Sequence, residues 1–165
     1  MKPEIVAYAR ERYIEEHQRF DHIENKCGRI MVFTTVLITT ITALLSFFSA
    51  SLFQPKGPLD VMILVVAVIS VFVLICSWGH ALLSIKLGAV NVAPRKEANF
   101  KYMQEKTDIE MYQHMINCYL DPLKKLTPTI NEKAKYLHHS YEELAIGGTL
   151  LSILLFLTFL KEILK

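Results

Sequence analysis

Along the first thirty residues, apolar side chains return at heptad-like spacing. Val6, Ala9, Tyr13, Phe20, Ile23, Cys27 and Ile30 follow this rhythm, interrupted only by Glu16, and predict an amphipathic helix. The polar positions then disappear. Ile30 to Phe53 is a stretch of 24 residues without a charge, and Val61 to Ile85 is another of 25. Crossing a hydrocarbon core about 30 Å thick takes roughly 20 apolar residues in a helix, so either stretch is long enough. QPKGPLD, between them, has two prolines and a glycine and predicts a short turn. The two stretches read as a membrane hairpin, and the N-terminal helix is expected to enter it without a break.

A third apolar run, Leu144 to Leu160, has only 17 residues, though Ile163 and Leu164 continue it. It reads as a third span; the alternative is a very apolar helix buried in an oligomer. Between the hairpin and this run the pattern is amphipathic again. One helix is expected from about Phe100 to Leu120, ended by Asp121-Pro122. Thr107 and Glu110 have capping-box spacing, which would move its start later. Thr129 and Glu132 repeat that spacing and predict a second helix with Ile130, Ala134, Leu137, Tyr141 and Leu144 on its apolar side, leading directly into the third run. The expected fold is an all-α integral membrane protein. Its parts are a cytoplasmic amphipathic helix over 1–29, a transmembrane hairpin over 30–85 (spans 30–53 and 61–85), a cytoplasmic helical sensor or assembly region over 86–143, and a third transmembrane helix over 144–165.

Composition supports a membrane protein: the 165 residues are 52% hydrophobic, with a mean hydropathy of +0.31. The net charge of +2 gives no basic excess of the kind bulk nucleic-acid binding requires. The distribution of charge is more informative. Six basic residues precede position 30, nine lie in 86–143, and the QPKGPLD turn carries one. By the positive-inside rule the N-terminus and the central segment are cytoplasmic and the turn is outside. MKPEIVAYARERYIEEH has no apolar core of the signal-peptide kind. A multi-pass membrane protein with a cytoplasmic N-terminus is expected.

Catalytic motifs are missing: the chain has no Gly-rich phosphate loop, no HExxH and no Gly-x-Ser-x-Gly elbow. His138 and His139 point about 100° apart on a helix and read as a solvated face, not a metal site, and Glu142-Glu143 and Glu15-Glu16 likewise read as exposed helix charges. Cys27, Cys76 and Cys118 are too widely spaced for a zinc pattern and read as reduced, apolar fillers. Neither an enzyme nor a metal or cofactor is expected.

The spans themselves hold the polar positions that remain. Thr35, Thr39, Thr42, Ser46 and Ser49 are four, three, four and three apart, a single hydroxyl stripe along the first span. Ser70, Ser77, Ala81, Ser84 and Gly88 form a small-residue seam on the second. Such stripes serve helix packing, or they line a water-filled path. Three spans cannot enclose a pore alone, so the second use needs a symmetric homo-oligomer with one stripe per subunit facing the axis. His80 is the one Asp, Glu, Lys, Arg or His within the two long spans and is a gate candidate. The alternative is a neutral histidine bonded to a hydroxyl of the neighbouring helix. Trp78 beside it reads as an interfacial anchor or a packing residue.

The order of parts carries a resemblance. "FDHIENKCGRIM" leads into the first span, the second ends at "SWGHALLSIKLGAVNVAP", the cytoplasmic helix contains "EMYQHMINCYL", and "NEKAKYLHHSYEELAIGG" passes into the apolar end. Over most of its length the chain resembles the small transmembrane effectors of bacterial anti-phage nucleotide signalling, the Pycsar-type effectors and SLATT-domain proteins. The resemblance implies a membrane protein that answers a cyclic or oligonucleotide second messenger, made by an operon-encoded nucleotidyltransferase, by depolarising the inner membrane. The stretch from Lys86 to Glu143 is too short for a cyclic-nucleotide-binding β-roll and reads as helix, so a nucleotide would bind between helices. Arg95, Lys96, Lys124, Lys125, Lys133 and Lys135, with Lys101, are the phosphate-binding candidates, and Tyr102, Tyr112, Tyr119 and Tyr136 could stack on a base. The same lysines also fit a solvated cytoplasmic face. The leading expectation is a nucleotide-gated channel; the alternative is a non-conducting membrane anchor or scaffold for a cytoplasmic protein.

Overall fold

The computed structural model describes residues 3–47, 57–86 and 107–164, and all three of these stretches are helical. Helix α1 runs Pro3–Phe47 (45 residues), α2 Pro58–Lys86 (29 residues) and α3 Asp108–Ile163 (56 residues). Each is long and apolar enough to cross a membrane. α1 carries the N-terminal segment without a break into the first apolar stretch as far as Phe47, as the sequence pattern implies; residues 48–53 of that stretch lie outside the described residues.

The packing follows a seven-residue rhythm. Buried positions on α2 are Asp60, Ile63, Ala67, Ser70, Leu74, Ser77, Ala81 and Ser84, alternating by three and four without exception. A strict 3.5-residue repeat keeps one seam facing its partners only if the helices wind left-handedly about each other. α3 answers with Leu126, Ile130, Lys133, Leu137, Ser140, Gly147 and Leu154. α2 runs antiparallel to both α1 and α3. One end of the bundle joins Phe20, Ile23, Cys27 and Ile30 of α1 to Ala81 of α2 and to Leu126, Ile130 and Leu137 of α3. The other end packs Ile63 and Ala67 against Leu154 and Leu157, with Leu45 alongside.

Small residues set how closely α2 and α3 approach. A Cβ on Gly147 would lie 2.7 Å from Leu74 Cδ2. One heptad away, the Ser77 hydroxyl donates to the Ser140 carbonyl at 2.8 Å, and the Ser140 hydroxyl returns the bond to the Ser77 carbonyl at 2.7 Å. A further heptad on, the Ser84 hydroxyl donates to the Lys133 carbonyl at 2.9 Å. The described part of the α2 seam is thus a packing seam inside the chain; Gly88 lies outside the described residues.

Asp121-Pro122 does not end a helix, and Thr129 does not begin one. α3 continues through Pro122 and Pro128, although an interior proline typically costs about 3 kcal/mol. Burial on both sides of the break overrides it: Ile116, Pro122, Leu126 and Ile130 are all buried on one face. The Thr129 hydroxyl turns back to the Lys125 carbonyl at 3.0 Å instead of capping. Thr107 does stand at the N-cap position of α3, but its hydroxyl lies 3.3 Å from the Glu110 carboxylate and caps no backbone N–H.

Candidate functional site

The hydroxyl stripe lies on the outside of the bundle. Thr35, Thr39, Thr42 and Ser46 are exposed, while the buried line of α1 at this level is Ile30, Thr34 and Ile41. Ser49 lies outside the described residues. Each hydroxyl donates to a carbonyl of its own helix: Thr35 to Met31 (2.7 Å), Thr39 to Val36 (2.8 Å), Thr42 to Ile38 (2.8 Å) and Ser46 to Thr42 (2.9 Å). With the donor satisfied, each oxygen still has acceptor capacity facing outward. The stripe is therefore wettable without needing a partner, and it takes no part in packing α1 against α2 or α3. Beside it on α1, Val32, Phe33 and Val36 are exposed. α2 presents Val61, Val65, Val68, Phe72 and Ile75, and α3 presents Ile146, Ile153, Phe156 and Phe159. α3 also has exposed hydroxyls, Thr149 and Ser152, bonded in the same way to Ile146 and Gly148.

His80 sits away from that stripe, between α2 and α3. Its Nδ1 is 2.7 Å from Glu143 Oε2. The ring stacks on Tyr136 at 6.2 Å between centroids and meets His139 at 5.9 Å. Its partner is a carboxylate where a neighbouring hydroxyl was the alternative in the sequence. His138 Nε2 and His139 Nδ1 both reach Glu142, each at 3.3 Å. Among the described residues no three His, Cys, Asp or Glu side chains are grouped to hold a metal.

Lys133, a phosphate candidate by sequence, is wholly buried. Its Nζ donates to Glu24 Oε1 at 2.7 Å and to the Ile85 carbonyl at 3.4 Å, and lies 4.0 Å from the Phe20 ring centroid. Ile85 belongs to the last described turn of α2. A cation there also suits the negative end of the helix dipole. One side chain thus ties all three helices together where α2 stops. Lys124, Lys125 and Lys135 are exposed on α3, with Lys124 3.9 Å from Asp121. Lys125 and Lys135 are about 15 Å apart along the helix, and Lys133 does not join them. Arg95, Lys96, Lys101 and Tyr102 lie outside the described residues. Tyr119 packs against Tyr13 at 5.9 Å, Tyr112 is half-buried, and Tyr136 lies on His80.

A second clamp closes the opposite end, where Lys161 of α3 pairs with Asp60 of α2 at 2.7 Å. From Asp60 to His80 the rise along α2 is about 30 Å, and from Glu143 to Lys161 along α3 about 27 Å. Glu24 and Asp60 did not stand out in the sequence, and Glu143 and Glu16, expected as exposed helix charges, are both partly buried, Glu143 because it packs on His80. One signal was visible: a charge at position 133 falls on the apolar rhythm of Leu126, Ile130 and Leu137, where a charge needs a partner.

Burial holds two of the three cysteines in the thiol form. Burial pushes the Cys27 thiol above its ordinary value, although its bond to Ser84 and nearby Lys133 pull the other way. Burial likewise raises Cys118, with Asp121 adding to the effect. No family model, curated protein or solved structure matches this chain.

Proposed function

We propose that the protein is a multi-pass inner-membrane channel, built as a homo-oligomer, whose conduit is lined by the hydroxyl face of α1. It carries out no reaction of its own. The observation that carries this reading is the outward position of Thr35, Thr39, Thr42 and Ser46 on an otherwise apolar helix. A pore lined by hydroxyls is wettable and uncharged, and identical stripes from several subunits would meet on a symmetry axis.

Two polar pairs between α2 and α3 support a membrane frame. His80–Glu143 and Asp60–Lys161 stand about 30 Å apart, which matches a hydrocarbon core. In this frame α1, α2 and α3 all cross, residues 144–160 form the third span, and the N-terminus is cytoplasmic with the basic residues. His80 marks the cytoplasmic boundary and gates through its hold on α3, not as a pore-lining group. The extensions of α1 and α3 beyond α2 are the sensor. They answer a cyclic or oligonucleotide second messenger from a partner nucleotidyltransferase in anti-phage defence, with Lys124, Lys125 and Lys135 available for phosphates. A ligand opens or closes the conduit only by binding one helix arrangement more tightly than the other.

The second reading is a membrane anchor or scaffold for a cytoplasmic protein, favoured by the fact that every described hydroxyl of the stripe is already satisfied by its own helix. Ion flux from liposomes, recorded with and without nucleotides, separates the two. A channel conducts and responds, and Thr39→Leu abolishes flux while leaving the oligomer intact. A scaffold conducts in no condition.

A further inference from the structure

α1 carries an open groove on the side turned away from α2 and α3. Asn25, Gly28, Arg29, Val32, Phe33 and Val36 line it, with Glu24 at the rim. Asn25, Gly28 and Val32 each stand two residues from a buried one, Ile23, Ile30 and Thr34, which is about 200° round the helix. A Cβ on Gly28 would meet nothing within 4 Å, so the hollow there is the space a side chain would fill. Asn25 and Arg29 are exposed and make no hydrogen bond or ion pair among the described residues. Glu24, the one acid on the lining, is balanced by Lys133 at 2.7 Å. Arg29 therefore leaves the groove with an excess of positive charge, and Lys26, three residues before it, adds to that.

The lining is also ordered along the helix. Cys27 meets Ser84 at 3.2 Å, and Ile30 packs in one cluster with Ala81, so Arg29 stands level with the part of α2 that holds His80. Val32, Phe33 and Val36 follow about 5–10 Å further on, each more than half exposed. In the membrane frame proposed above, His80 marks the cytoplasmic boundary. Arg29 is then at headgroup depth, and the three apolar side chains face hydrocarbon.

We propose that this groove seats one anionic phospholipid of the cytoplasmic leaflet. The phosphate pairs with the Arg29 guanidinium, a planar fork suited to two oxygens at once, and the Asn25 amide supplies a further donor. The upper part of an acyl chain lies along Val32, Phe33 and Val36. Place and charge together make the selection. A water-soluble anion would cover only the polar half and leave the apolar half to other lipid. A choline headgroup brings its own positive charge beside Arg29 and Lys26, whereas phosphatidylglycerol brings only a negative one. The proposal rests on the membrane frame and not on the conduit. Glu24 joins the rim of the groove to Lys133, so an occupied groove adjoins the three-helix junction.

The test uses the full chain with Trp78→Phe, which removes its one tryptophan. A tryptophan is then introduced in the groove by Phe33→Trp or on the exposed face of α2 by Val68→Trp. Fluorescence is read in phosphatidylcholine vesicles containing either dibrominated phosphatidylglycerol or dibrominated phosphatidylcholine as quencher. With Phe33→Trp the brominated phosphatidylglycerol should compete about fivefold better; with Val68→Trp the two should be equal. Arg29→Gln should bring the groove to parity. So should Gly28→Leu, which fills the floor, keeps every charge and keeps or raises helix stability by removing a glycine. A preference that survives Gly28→Leu would be diffuse charge attraction and overturns the groove. Equal quenching by both lipids in the Phe33→Trp protein overturns the anion. Quenching with Val68→Trp but none with Phe33→Trp means that protein, such as a second copy, covers the face, and overturns the lipid. Each of these results leaves the conduit reading standing. No quenching at either position sinks the membrane frame as well.

Discussion

Glu24 and Lys133 lie 109 residues apart in the chain and meet at 2.7 Å, at the level where α2 ends. The pair is asymmetric: the Lys133 side chain is 0% exposed, that of Glu24 41%. Removing the lysine leaves a carboxylate that water can solvate, whereas removing the carboxylate strands a buried ammonium. Lys133→Met should therefore cost about 1–2 kcal/mol, since it keeps the packing on Phe20. Glu24→Leu should cost more, about 3 kcal/mol or above. Unfolding of both variants in mixed micelles checks the order, and equal costs would contradict it.

The α2–α3 approach depends on what occupies position 147. Gly147→Leu places side-chain atoms where Leu74 already stands and should cost about 2–3 kcal/mol. Adding Leu74→Ala should recover part of that loss. A G147L variant as stable as the parent would mean that α2 and α3 are not packed as described.

His80 and Glu143 should couple across α2 and α3. Both side chains are partly exposed, so the interaction belongs between a surface pair and a buried one, about 1 kcal/mol. A double-mutant cycle with His80→Phe and Glu143→Leu measures it. Additive costs would show that the contact carries no energy.

Cys27 is expected to resist alkylation. Its hydrogen-bonded thiol is fully buried, and burial raises its pKa, so little thiolate is available. A raised acid group binds more protons folded than unfolded. Its stabilising contribution is therefore complete below the ordinary thiol value of about 8.5 and is lost as pH climbs through the higher folded value. Cys27→Ala should flatten that alkaline decline, and thermal unfolding across pH 7 to 10 checks it. Mass spectrometry after maleimide treatment of the folded protein should find Cys27 unmodified.

Much of this architecture was legible from periodicity. The charge-free stretches after Ile30 and Val61 predict their helices because nothing polar competes with the pattern, and the heptad from Val6 to Ile30 carries α1 into the first of them. The break expected at Asp121-Pro122 failed because local proline chemistry is weaker than the sum of buried contacts on both sides. Partners across α2 and α3 were out of reach: a shift of one turn in register would set His80 against different side chains. For the same reason the spacing of Thr35, Thr39 and Thr42 shows that they share a face, but not that the face is turned outward. That depends on Thr34 and Ile41 filling the core instead.

The central claim is that water reaches the α1 stripe. The direct measurement is modification of Thr39→Cys by a charged methanethiosulfonate reagent in liposomes, with flux recorded throughout and Cys76 and Cys118 replaced by alanine. If α1 lines a conduit, the cysteine reacts and flux falls on modification, while Val36→Cys on the neighbouring apolar face stays inert. A Thr39→Cys protein that is assembled and conducting, yet neither reacts nor loses flux, would contradict the account and turn the stripe into a seam against lipid or a partner helix.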